Sequence, residues 1–203
     1  MIWFFSILLL NLSLLFSVRW LASKHKFPTF FLRKSLHLVS SLGAVLAAIV
    51  LTQIQFISLC IIFFLIYFIL HKKHQNDAIE DKSHASYGSF LFPLGVLALG
   101  ATLWNSEPLL ITGILVLGIP DAITAVFDEK MFYKTKNRVL IRFSTYLILA
   151  AVVLIASKTM PSFSVGLLFS FLLAITENFT FKGWDNLTIP IVYLLFSWTL
   201  ILF

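Results

Sequence analysis

Eight apolar segments, at residues 2–18, 36–52, 56–70, 89–104, 109–127, 139–157, 163–175 and 187–203, leave little of this 203-residue chain for anything else. Most fall slightly short of the roughly 20 apolar residues that cross a hydrocarbon core of about 30 Å. Within such a core the backbone must satisfy its own polar groups, which restricts the segments to helices. Charged residues make up only 12% of the chain and hydrophobic ones 60%, against about 45–50% apolar residues in a soluble domain. The sequence therefore predicts an all-α, polytopic membrane bundle of seven or eight transmembrane helices, forming a single domain over residues 1–203. The third and seventh segments are the weakest full spans. The N-terminal MIWFFSILLL lacks a basic leader and a small-residue cleavage site, and reads as a retained first helix. Cys60, the single cysteine, excludes an intrachain disulfide or a cysteine metal framework.

The charges are distributed unevenly between the loops. Under the eight-helix reading every Lys and Arg falls in or beside an odd-numbered loop, except Lys158 in an even loop and Arg142 inside the sixth segment. The positive-inside rule then puts the odd loops in the cytoplasm and both termini outside. All five histidines lie in or beside these same loops, and of the nine acids only Glu107 falls in an even loop. The net charge of +6 thus reads as topology and headgroup contact, with no nucleic-acid partner.

Five motifs lie on that polar side. Arg33-Lys34-Ser35-Leu36-His37 places two cations and an imidazole on one helical face, suited to a phosphate or an anionic headgroup, or to anchoring the helix at the interface. His84 to Pro93 includes Gly88, which allows close backbone approach, and Pro93, which interrupts a helical ladder. Gly118-Ile119-Pro120-Asp121 predicts a broken helix with an acid below the headgroups, serving either catalysis or Mg²⁺, or a structural cap or ion pair. Lys134-Thr135-Lys136-Asn137-Arg138, with Arg142 one turn deeper, fits triphosphate neutralisation or a cytoplasmic anchor. Finally Thr176 to Pro190, TENFTFKGWDNLTIP, is a polar break containing Glu177, Asn178, Asp185 and Asn186. An acid near hydrocarbon costs about 2.5–3.5 kcal/mol even on insertion scales, so Glu177 and Asp185 are candidate Mg²⁺ ligands, which need carboxylates alongside phosphate oxygens. A structural turn is the other reading. No GxxxxGK[ST], GxGxxG or protein-kinase motif is present, and no His/Cys cluster has zinc spacing.

Taken together, RKSLH (33–37), YGSFLFPLG (87–95), GIPDAITAVF (118–127) and TENFTFKGWDNLTIP (176–190) resemble the CTP-dependent lipid-alcohol kinases: the phytol, dolichol and yeast-type diacylglycerol kinases of the polyprenol kinase family. The resemblance covers residues 30–203. KTKNRV (134–139) stands where that family has Lys-Ser/Thr-x-Glu-Gly-Ser, and Phe127-Asp128-Glu129-Lys130 where it has glycines. The resemblance implies transfer of the γ-phosphate of CTP, with ATP or UTP as other donors, to a lipid alcohol in the bilayer with Mg²⁺. It implies catalytic and metal roles for Asp121, Glu177 and Asp185. Nucleotide or substrate contacts would fall to Arg33, Lys34, His37, Lys134, Lys136 and Asn186. Two other readings stand beside it. One is a cytidylyltransferase making a CDP-lipid, whose long C-terminal signature is not found. The other is a transporter or non-catalytic lipid-binding homologue, which broken helices with acids also suit, although no internal repeat is apparent.

Overall fold

A computed structural model describes residues 1–24, 29–72, 87–128, 135–181 and 183–202. These form eight helices and no strand among the described residues: α1 (Ile2–Ser23), α2 (Thr29–Val50), α3 (Gln53–Lys72), α4 (Gly88–Leu103), α5 (Glu107–Phe127), α6 (Arg138–Ala156), α7 (Phe163–Phe179) and α8 (Asp185–Leu202). Each corresponds to one apolar segment. α1, α2, α3, α5 and α6 are long and apolar enough to cross a membrane, whereas α4, α7 and α8 are shorter apolar helices. The third segment is thus a full-length span, and the seventh is short, as its sequence suggests. Large apolar side chains such as Leu9, Leu46, Ile148 and Leu195 cover the outside. This is the surface of a polytopic membrane bundle, where apolar groups face lipid.

α5 is the most buried span and packs against α2, α4, α6 and α8. Two close approaches fix its surroundings. A Cβ on Gly118 would lie 1.9 Å from Ser41 Oγ of α2. A Cβ on Gly95 of α4 would lie 2.1 Å from the Asn186 carbonyl oxygen of α8. Small residues at such points let helix backbones approach closely in lipid. Deeper in the core, Tyr193 donates a hydrogen bond to the Leu109 carbonyl at 3.0 Å, and the rings of Phe169 and Phe196 stack at 4.0 Å.

Only residues 51 and 52 separate α2 from α3. Thr52 and Gln55 form a reciprocal cap there. The Thr52 N–H donates to Gln55 Oε1 at 3.1 Å and the Gln55 N–H to Thr52 Oγ1 at 3.4 Å, the capping-box arrangement. Beyond this turn the two helices diverge and touch only sparsely, while α3 lies along α4 and α2 along α5.

The predicted break at Pro120 is absent. Pro93, Pro120 and Pro190 all lie inside uninterrupted helices. Proline at 120 removes one bond, that to the Val116 carbonyl, and a helix packed on four neighbours absorbs the loss. The interruption expected in the Thr176–Pro190 segment is present between α7 and α8. It turns through Gly183 at φ 90°, a left-handed conformation that glycine adopts without a Cβ penalty.

Candidate functional site

The odd-numbered helices end, and the even-numbered ones begin, at the same end of the bundle, and there a cavity of about 260 Å³ opens among them. Its lining combines Arg33, Lys34 and His37 from α2, Tyr67 from α3, Ser89 and Phe92 from α4, Asp121 from α5, and Arg142 from α6. Glu177 and Thr180 come from the end of α7, and Gly183, Asp185 and Asn186 from the start of α8. Four helix N-termini converge on this end, and their partial positive charge favours anions.

The α2 wall follows from residue spacing. Lys34, His37 and Ser41 are three and four residues apart, one stripe of a helix, and this stripe faces Leu117, Gly118 and Asp121 on α5. Lys34 Nζ donates to both Asp121 carboxylate oxygens at 2.7 Å. The pair is enclosed, with side-chain exposures of 13% and 4%. His37 Nε2 donates to the Leu117 carbonyl at 3.3 Å and stands 3.5 Å from Asp121 Oδ2. Its ring meets Phe92 of α4 edge-on at 4.6 Å, and Ser41 Oγ donates to the His37 carbonyl at 2.9 Å.

The opposite wall has its own ion pair. Arg142 donates through Nε to Glu177 Oε1 at 3.1 Å and through Nη2 to the same oxygen. Glu177 Oε2 is left buried without a hydrogen-bond partner. Asn186 Nδ2 donates to the Gly183 carbonyl at 3.3 Å, while its Oδ1 is likewise buried and unpartnered. Buried acceptors without donors are rare and costly, so these two oxygens, both on residues lining the cavity, call for a donor or a cation. Asp185 lines the same cavity and has no ion-pair partner among the described residues.

The structure brings together Arg33, Lys34, His37, Asp121, Glu177, Asp185 and Asn186 of the predicted site residues. Lys136 does not join them: it is exposed, in the turn before α6, and does not line the cavity. Lys134 lies outside the described residues, as does His84. Arg138 is engaged by Asp128 through two bonds of 2.7 Å, tying the end of α5 to the start of α6. Sequence reasoning missed Arg142 as the partner of Glu177. Its signal was present, because a cation inside an otherwise apolar span marks a site or a buried partner. Tyr67 carried no such signal, being one aromatic in an aromatic-rich helix. Tyr146, four residues beyond Arg142, is fully buried with its hydroxyl unpartnered.

Mg²⁺ takes oxygen ligands and usually shares its coordination with phosphate. Glu177 Oε2, Asn186 Oδ1 and the Asp185 carboxylate are oxygen acceptors of that kind. Asp121 already gives both oxygens to Lys34. Among the described residues no three His, Cys, Asp or Glu side chains converge as a ready-made metal cluster, so substrate oxygens would have to complete the coordination. No family model, curated protein or solved structure matches this chain.

Proposed function

We propose that the chain is a membrane lipid-alcohol kinase that moves the γ-phosphate of CTP, or of ATP or UTP, to the hydroxyl of an isoprenoid alcohol or of diacylglycerol. The observation that carries this reading is the mixed-charge cavity at one end of an apolar bundle, with two buried oxygens that lack donors. Phosphoryl transfer asks mainly for positioning and charge neutralisation, and this lining offers both. A cavity of about 260 Å³ falls below the roughly 300–1,000 Å³ of pockets that engulf a whole ligand. It suits a phosphate chain and an acceptor hydroxyl, with the nucleoside lying outside toward the loops.

In this reading Arg33, Lys34 and Arg142 face the phosphate oxygens. Asp185 accepts the proton of the acceptor hydroxyl as its oxygen attacks the γ-phosphorus. The bond from the γ-phosphorus to the bridging oxygen breaks, and its electron pair leaves with the nucleoside diphosphate. His37 and Asn186 orient the acceptor. Glu177 and Asn186, with the Asp185 oxygen that does not take the proton, would hold Mg²⁺, which would supply further neutralisation of phosphate charge. The positive-inside pattern assigns this end of the bundle to the cytoplasm, where nucleotides are available.

The test is incubation of the purified protein in lipid with γ-labelled CTP or ATP, Mg²⁺ and a panel of long-chain alcohols. The expected result is label in a lipid phosphate, lost in Asp185→Asn. Pyrophosphate release with a CDP-lipid product would replace this reading by the cytidylyltransferase one. Absence of turnover with every donor would leave a non-catalytic lipid-binding protein.

A further inference from the structure

The seven helices α2 to α8 wall the charged cavity, and their packing order is an open ring. α3 lies on α4, α4 on α8, α8 on α7, α7 on α6, α6 on α5 and α5 on α2. The two ends of the ring, α2 and α3, touch only sparsely, although both reach the cavity, with Leu36 and Tyr67 in its lining. α1 lies across this seam. Its Leu14, Leu15 and Val18 pack with Leu36 of α2 and with Ile66, Tyr67 and Leu70 of α3, in a small apolar cluster separate from the main core. Leu15 is fully enclosed there. Tyr67 lies five residues before the end of α3, and Leu36 seven after the start of α2. The seam is therefore roughly 7–11 Å in from those helix ends at 1.5 Å per residue, among apolar side chains.

α1 is also the least buried of the five long spans. Its enclosed residues, Ile7, Leu15 and Ala22, form one narrow stripe. The Asn11 amide and the Ser13 and Ser23 hydroxyls donate to carbonyls of α1 itself, so these donors are satisfied within the helix. Lipid tails are as apolar as leucine, so parting a leucine seam toward the bilayer costs packing and no hydrophobic burial.

We infer that the α2–α3 seam is a side entrance through which a membrane-dissolved amphiphile reaches the charged cavity, and that α1 is its gate, closed in this structure through Leu15. The kinase reading supplies what passes, the lipid acceptor; the packing order supplies the route. An amphiphile arriving at the aqueous end would have to leave the bilayer first, whereas the seam meets the hydrocarbon at the level of Tyr67.

The experiment uses the full chain in phosphatidylcholine nanodiscs, with Cys60→Ala removing the native thiol and Ser40→Cys placing a reporter in the cavity lining. Two reagents approach the reporter from different phases: N-dodecylmaleimide from the bilayer, and a small water-soluble thiosulfonate from the aqueous end. Val18→Cys with Ile66→Cys, oxidised to a disulfide, fastens α1 to α3 across the seam. Peptide mass spectrometry reads modification at position 40. The oxidised protein is expected to react about tenfold more slowly with the alkyl reagent and at an unchanged rate with the thiosulfonate. Reduction is expected to restore the alkyl rate. Leu15→Ala, without the disulfide pair, is expected to speed the alkyl reagent alone, which keeps the gate testable if the disulfide forms poorly. Equal slowing of both reagents, or of neither, would overturn the gate, as would an unchanged alkyl rate in Leu15→Ala. These readings need no turnover, so the expected pattern in a protein that transfers no phosphate would remove the kinase and keep the entrance. Full-rate transfer to a long-chain alcohol in the disulfide-locked protein would keep the kinase and remove the entrance.

Discussion

Lys34 Nζ lies 2.7 Å from both carboxylate oxygens of Asp121, joining α2 to α5 across 87 positions of sequence. Removing one partner of an enclosed pair leaves the other charge buried and costs about 3–5 kcal/mol. Asp121→Asn and Lys34→Met are each expected to lower the unfolding midpoint in detergent markedly. The double variant Lys34→Met/Asp121→Leu is expected to recover most of that stability while phosphate transfer stays absent. Thermal unfolding beside a transfer assay separates the structural role of the pair from its chemical one.

Asp185 should behave oppositely. It opens α8, where an acid gains about 0.3–1 kcal/mol from the helix dipole, and it has no ion-pair partner among the described residues. Asp185→Asn keeps the side-chain shape. Its expected effect is a stability change of about 1 kcal/mol or less with a fall in kcat of about 10²–10⁴, the range for loss of a general base. Near-normal kcat in this variant would remove Asp185 from the reaction.

Gly95 sets the distance between α4 and α8. A Cβ there would sit 2.1 Å from the Asn186 carbonyl oxygen and 2.8 Å from the Pro190 ring. Gly95→Ala therefore pushes α8 away, carrying Asp185 and Asn186 with it. The expected cost is about 1–3 kcal/mol of stability, typical of overpacking, with weaker substrate binding. Gly166→Ala is the control. Its nearest neighbour lies at an ordinary 3.4 Å, and helix propensity favours alanine by about 0.8–1.0 kcal/mol. A chemical-denaturation comparison of the two variants checks the contrast.

Gly183 turns the chain between α7 and α8 at φ 90°. Gly183→Ala is expected to cost about 1–2 kcal/mol, the steric penalty of a left-handed residue with a Cβ. Gly183→Asn should cost less, since asparagine tolerates that region. Melting temperatures of both in one lipid environment give the ordering.

Much of this arrangement was legible before the fold was known. Every apolar segment became a helix, because lipid leaves the backbone no other solution. Loop charges foretold that the polar residues would share one end. Glu177, Asp185 and Asn186 were legible as a group because they interrupt hydrocarbon. What stayed hidden was who meets whom. Lys34 reads as a surface anchor until Asp121 appears beside it, and Arg142 reads as part of a basic run until its guanidinium reaches Glu177. The short connection between α6 and α7 makes those two neighbours, but it does not say which side chains meet, and no spacing rule connects α2 with α5. The continuity of α5 through Pro120 was hidden for another reason: one lost hydrogen bond is a local penalty, and packing on four sides outweighs it.

The Thr52–Gln55 cap has a consequence for how the charged end is walled. Both of its bonds lie within the first turn of α3, so they fix where that helix starts, two residues after α2 ends. From this common origin α2 lies along α5 and α3 along α4. The two helices therefore reach the far end of the bundle as separate staves, and the cavity there takes Lys34 and His37 from one and Tyr67 from the other.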